Sequence, residues 1–132
     1  MRGDPVGSPL QTCMRLINRT AVSVVGAAPY VEWTRARDAE FVPATELSVS
    51  VPRAKPFGSV YLLPEGIEEE DLLEWVEDNF AAIFESQLAA WTEDESAWPG
   101  SRDLKTFRQW FRVDLHGTVV DIADDDIEGE EL

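Results

Sequence analysis

"IEEEDLLEWVEDNFAAIFESQLAAW", residues 67–91, decides the fold. Leu72, Leu73, Val76, Phe80, Ile83, Phe84, Leu88 and Trp91 recur at about 100° per residue, the period of an α-helix with one apolar face. Glu70, Asp71, Glu74, Asp78 and Glu85 fall on the opposite side. The spacing predicts one long amphipathic helix over 67–91. Four consecutive acids at 68–71 stand at its start, where the helix dipole favours negative charge. Trp75 lies off the apolar stripe, beside the acids, and tryptophan is favoured at protein interfaces. Glu70, Asp71, Glu74, Trp75, Asp78 and Glu85 are therefore the candidate interaction residues.

A stripe this wide needs a sheet or other helices to cover it. Upstream, "SVYLL" (59–63) is a strand closed by Pro64, and "AVSVV" (21–25) is a short β-branched strand ended by Gly26. Pro29 suits a first helical turn, so 29–37 reads as a short helix. "ELSVSV" (46–51) alternates at strand period but is fenced by Pro43, Pro52 and Pro56, which places it at an edge. Downstream, 92–101 is a loop with a Pro99-Gly100 turn. Ser101 or Asp103 caps a second helix, 102–111. "RVDLHGTVVDI" (112–122) reads as a strand in which Gly117 marks a bend or bulge.

The fold class expected is α+β: a single small domain with a short sheet of three or four strands, packed by one long acidic helix and a shorter second one. Residues 1–19 form a flexible N-terminal segment, 20–123 the domain, and 124–132 an acidic disordered tail. Met14 is a candidate start, which would leave 1–13 as an extension.

The 132 residues carry a net charge of −15, and the charge is lopsided. Residues 1–66 hold 7 basic and 6 acidic residues, whereas 67–132 hold 4 and 20. A surface this negative repels phosphates, so binding to nucleic acid is not expected. A basic protein partner fits the charge, with an inhibitor, an immunity-type protein or a DNA mimic as special cases. Solubility or salt adaptation explains the same charge without a partner. The four bases of the second half, Arg102, Lys105, Arg108 and Arg112, make a stripe along the second helix, and they are expected to pair with acids of the same chain.

No run approaches the ~20 apolar residues of a membrane helix. The apolar run at 21–28 after Arg15 and Arg19 is interrupted by Ser23 and Gly26, so it reads as a strand rather than a secretory signal. Cys13 is the one cysteine, which excludes an internal disulfide and a cysteine–zinc cluster and fits a reducing compartment. A cytoplasmic protein without a cofactor is the expectation, its oligomeric state open.

His116 is the one histidine. With Asp114 or Asp121 it could serve a small hydrolase or metal-dependent enzyme, and these three are the weak catalytic candidates. Asp114 and His116 share one strand face and Asp121 the other, unless Gly117 shifts the register. GxSxG, GxGxxG and P-loop patterns are absent, and the acidic clusters lack EF-hand spacing. A structural His116 with satisfied ring nitrogens is the simpler reading. A non-enzymatic acidic protein-interaction module leads, with the His116 enzyme as the alternative.

"YLLPE" (61–65), the acidic helix, "FESQLAAWTEDESAWP" (84–99) and "FRQWFRVDLHGTVVDIAD" (107–124) occur in an order that resembles a set of small uncharacterised bacterial proteins. The resemblance covers about 60–124, while 38–58 departs most. It implies that 60–124 is one folded unit and carries no activity over.

Overall fold

The computed structural model describes residues 14–39, 43–44, 55–56 and 58–132. The expected strand at 46–51 lies outside the described residues. The elements are β1 (Arg15–Leu16), β2 (Thr20–Gly26), α1 (Ala28–Arg35), β3 (Pro43–Ala44), β4 (Lys55–Pro56), β5 (Ser59–Leu63), α2 (Leu72–Asp78), α3 (Phe80–Ala89), α4 (Leu104–Trp110), β6 (Phe111–His116) and β7 (Val120–Asp121). They make one α+β domain. Among the described residues no helix is long and apolar enough to cross a membrane.

A three-stranded antiparallel sheet runs in the order β5-β2-β6. β2 is central because its β-branched run can be buried between two partners. Val22 and Val24 are fully buried, and their register partners on the same face are Tyr61 and Ser59 on β5 and Leu115 and Val113 on β6. The described helices pack against this face. Phe84 of α3 is fully buried and meets Phe107, Trp110 and Phe111 at ring-centroid distances of 5.9, 5.8 and 5.4 Å. The aromatic run of α4 and β6 thus closes the core. Tyr30 joins it, its ring 4.7 Å from Phe111 and its hydroxyl donating to the Gln87 carbonyl at 2.7 Å. Burial pushes the Tyr30 phenol far above its ordinary pKa.

The long helix expected over 67–91 is not continuous. A 3₁₀ turn at Glu69–Asp71 leads into α2, and the helix breaks at Asn79, whose φ and ψ are −113° and 16°. Asn79 bonds its own neighbourhood instead of extending the helix, as Asn side chains do. The expected strand 112–122 also divides. β6 ends at His116, paired with Ala21, and β7 pairs with β1 through Leu16–Val120 and Arg15–Asp121. Between those ladders four residues intervene on one strand and three on the other, a bulge-like offset beside Gly117. Residues 15–16 therefore belong to a β-ribbon, not to the flexible segment expected over 1–19. An Arg15–Asp121 ion pair ties the ribbon. Hydrogen bonds from the Ala123 N–H, then from Arg15, hold the Asp121 carboxyl below the usual carboxylate range.

α4 starts on Asp103, which accepts from the Thr106 N–H at 2.8 Å. Of the two caps the sequence allowed, Asp103 takes the position. The loop 92–101 holds a further 3₁₀ turn, Glu95–Ala97, capped by Asp94. It is anchored to α1 by the Trp33 indole N–H, which donates to the Ala97 carbonyl at 3.0 Å.

Candidate functional site

The sheet face away from the helices carries His116. Its Nε2 stands 2.9 Å from Ser23 Oγ, because β2–β6 register sets Ser23 opposite Asp114 and Ala21 opposite His116. Asp114 and His116 do share a face, as their spacing requires, but the Asp114 carboxylate is engaged by Arg112 at 3.1 Å. Asp121 is on the β1–β7 ribbon with Arg15. The three weak catalytic candidates are not brought together. Among the described residues no three of His, Cys, Asp and Glu converge as metal ligands would.

Ser23 and His116 have the hydrogen bond of a nucleophile–base pair. Two features disable it for acyl transfer. Ser23 is on the central strand, paired with Val60 on one side and Asp114 on the other, so the local backbone N–H groups belong to the ladders and none is free as an oxyanion donor. His116 is exposed, and the hollows beside Glu65, Leu73 and Trp75 are lined by neither residue. The ring is therefore not buried. It meets the Ser23 hydroxyl through Nε2, as an exposed ring on the strand surface.

The helix side offers a better site. α2 runs with Leu72 and Val76 buried, which sends Trp75 to one flank and Leu73 and Glu77 to the other. On the Trp75 flank a groove of about 220 Å³ lies between α2–α3 and β5. Its walls are Tyr61, Leu62, Trp75, Ala82 and Ile83, with Asn79 and Ser86 as polar points. Trp75 is half-buried and packs on the core edge. Leu62, 51% exposed, presents apolar surface of the edge strand β5 to the groove.

A buried polar network holds the groove floor. Gln87, 6% exposed, donates to both Ser59 Oγ and Tyr61 Oη at 2.8 Å. Tyr61 Oη and Ser86 Oγ are 2.5 Å apart, and Ser86 Oγ donates back to the Ile83 carbonyl at 2.8 Å. These bonds lock β5 to α3. Sequence reasoning passed over them, although a glutamine between Phe84 and Leu88 on an apolar stripe is a legible signal of a buried polar contact.

Of the candidate interaction residues Trp75 alone is in the groove wall, and helix spacing sets Asp71, Asp78 and Glu85 nearest to that wall. Asp71 and Asp78 stand four residues before and three after Trp75, the spacing of neighbours on a helix surface. Glu85 is one turn beyond Ala82. Glu74 points outward from α2, and Glu70 lies in the preceding 3₁₀ turn. All five acids are exposed, and none is in an ion pair among the described residues. The basic stripe answers other acids: Arg108 binds Glu77 at 2.6 Å and Arg112 binds Asp114. Arg102 instead lies over the Trp98 ring at 5.5 Å and donates to the Pro99 carbonyl, and Lys105 makes no ion pair among the described residues. The expected pairing therefore holds for two of the four bases.

The sequence matches no family model, and no curated protein and no solved structure matches the chain.

Proposed function

We propose that the chain is a non-enzymatic interaction module that docks a basic, partly apolar segment of a protein partner in the Trp75 groove. One observation carries this reading: an apolar groove holds a half-buried tryptophan, and helix spacing sets the exposed carboxylates Asp71 and Asp78 beside that tryptophan, neither in an ion pair among the described residues. A tryptophan in such a place supplies a large apolar contact with few degrees of freedom. The acids would speed encounter with a cationic partner and reject anionic ones. Apolar side chains of the partner would sit against Trp75 and Leu62, and its lysines or arginines would reach Asp71, Asp78 and Glu85. A cytoplasmic setting and a bacterial origin accord with this reading through the single cysteine and the resemblance over 60–124. The alternative, an enzyme built on His116, leaves Ser23 on the central strand with its neighbouring backbone N–H groups in the ladders, so the groove is preferred.

The test uses a ten-residue peptide alternating Lys with Val, and its Glu–Val counterpart. Binding is followed by amide and indole N–H shifts. The expected result is saturable binding of the Lys peptide with shifts centred on Trp75, Ala82 and Leu62. Affinity should fall at least tenfold in Asp71→Asn/Asp78→Asn, whose exposed side chains are not needed for folding, and fall steeply with salt. Equal binding of the Glu–Val peptide, or Lys-peptide shifts that spread over all acidic surfaces, overturns the proposal.

A further inference from the structure

The other flank of α2 has the opposite electrostatic character. Between α2 and the corner where α4 turns into β6 lies a cleft of about 290 Å³. Leu73, Val76, Phe107, Phe111 and Val113 form its apolar wall. Its remaining lining residues are Glu77, Arg108 and Arg112. We propose that this cleft binds a small amphipathic carboxylate, its short acyl or single-ring tail against Phe107 and Phe111 and its carboxylate between Arg108 and Arg112.

Three observations support the choice of ligand. The first is charge. The second half of the chain holds 20 acids and 4 bases, yet two of those four bases border this one apolar cleft. The second is unused donor capacity. Arg108 directs Nε and Nη2 to a single oxygen of Glu77, at 3.0 and 2.6 Å, which leaves Nη1 without a bond among the described residues. Arg112 reaches Asp114 through Nε alone, at 3.1 Å, so both of its terminal nitrogens are likewise unengaged. Guanidinium groups bind carboxylates best through two parallel N–H donors, and that capacity is what remains here. The third is mobility and size. Arg112 is paired with Asp114 on the sheet face away from the helices, but it stands on the edge strand β6, and its side chain, 66% exposed, can swing round to the cleft, as can that of Arg108, 59% exposed. The volume is at the low end of ordinary ligand pockets, about 300–1,000 Å³, which restricts the tail to a short chain or one ring.

Glu77 gives the proposal a distinctive signature. It competes with the ligand for Arg108 and repels a carboxylate at the mouth. Removing its charge should tighten binding, an outcome that a cleft serving only as a packing gap would not produce.

The probe is octanoate, compared with octanol and octylammonium, by calorimetry and amide shifts on the intact chain. The expected result is one saturable octanoate site with shifts at Leu73, Val113 and Arg108. Octanol should bind at least tenfold more weakly and octylammonium not at this cleft. Arg112→Gln and Arg108→Gln should each weaken octanoate about tenfold, and Glu77→Gln should tighten it severalfold. Among the described residues Arg112 pairs with Asp114 alone, and its own side chain is 66% exposed, so its variant keeps the fold and the test stands even if Arg108→Gln loosens α4. Octanoate affinity unchanged by Arg112→Gln, octanol binding as tightly as octanoate, or no saturable binding up to millimolar octanoate in the folded protein overturns the proposal. None of these outcomes bears on the Trp75 groove, which lies on the opposite flank of α2.

Discussion

The side-chain amide of Asn79 donates to the main-chain carbonyl of Trp75 at 2.8 Å, taking the place that a helical N–H at 79 would occupy. The Asn79 N–H turns instead to the Val76 carbonyl at 3.1 Å. One polar side chain thus divides the amphipathic run into α2 and α3, and the division sits in the wall of the Trp75 groove.

Asn79→Ala removes the competing amide and supplies a stronger helix former. Circular dichroism should report added helix. Stability should hold or rise by up to about 0.5 kcal/mol, the propensity difference between the two residues. Binding of the Lys–Val peptide should weaken, because Trp75 and Ala82 would no longer flank the same hollow. An unchanged helical signal together with lost stability would mean that Asn79 supports the fold rather than interrupting a helix.

Much of this architecture is legible in the sequence where hydrophobic period and punctuation agree. Pro64 and Gly26 close strands that the structure places at Ser59–Leu63 and Thr20–Gly26. The core faces of both helical stretches follow from 3.6-residue spacing. What period cannot reveal is pairing. β1 and β7 are two residues each, too short to alternate visibly, and they exist because antiparallel register brings Arg15 opposite Asp121. Ser23 and His116 are 93 positions apart in the chain and meet through the separate β2–β6 register. Of the site, Trp75 and its acids are legible as a helix face. The opposite wall, Tyr61 and Leu62, is not, because a sequence does not say which strand edge a helix will lie against.

Gln87 and Tyr61 should prove energetically coupled. Gln87→Leu is near in volume but strands the Ser59 and Tyr61 hydroxyls beside an apolar group, and it should cost about 1–3 kcal/mol in chemical denaturation. Tyr61→Phe removes one end of the same bond. The double variant should lose measurably less than the sum of the two, by roughly 0.5 kcal/mol or more. Strict additivity would show that the network contributes nothing as a unit.

Asp103 should lend stability that depends on pH. Its cap bonds, from the Thr106 N–H and then the Thr106 hydroxyl, hold its carboxyl below the usual carboxylate range. A carboxyl with a depressed folded pKa contributes stability that is fully present above its unfolded pKa, about 3.9, and lost as pH falls through the folded value. The melting-temperature gap between the native chain and Asp103→Ala should therefore be complete at pH 6 and close as pH falls below about 4. Asp103→Asn, itself a good cap, should show a small gap with little pH dependence. A gap for Asp103→Ala that persists unchanged at pH 3 would assign its effect to something other than the ionised cap.

His116→Ala should be mild. The ring is exposed and its one hydrogen bond among the described residues goes to Ser23, which water can satisfy once the ring is gone. The expected loss is below about 1 kcal/mol. Titration with zinc, manganese and magnesium should give no stoichiometric site that requires His116. A metal that binds one-to-one only when His116 is present would move the enzyme reading ahead, with Asp114 as the next position to change.

Added salt should raise stability, and the distances in the structure say why. Attractive pairs such as Arg108–Glu77 are in contact at 2.6 Å, inside the Debye length of ~3 Å at 1 M salt. Repulsions along 68–71, 74 and 78 act between helix-surface neighbours about 5–6 Å apart and beyond. At 0.1 M the Debye length is ~10 Å and those repulsions are felt; at 1 M they are screened while the contact pairs largely survive. The helix-dipole benefit of the acids at 68–71 is also screened, but it involves one helix end against the self-repulsion of a chain at −15. Thermal melts in NaCl and KCl should therefore shift upward between 0.1 and 1 M. Chloride salts are required, because sulfate would raise the melting temperature by strengthening apolar burial alone. A melting temperature that stays flat or falls would show that the acids do not repel enough to matter in the folded chain. The solubility explanation of the charge would then lose its energetic cost, and the acids of the Trp75 rim would need no partner to offset them.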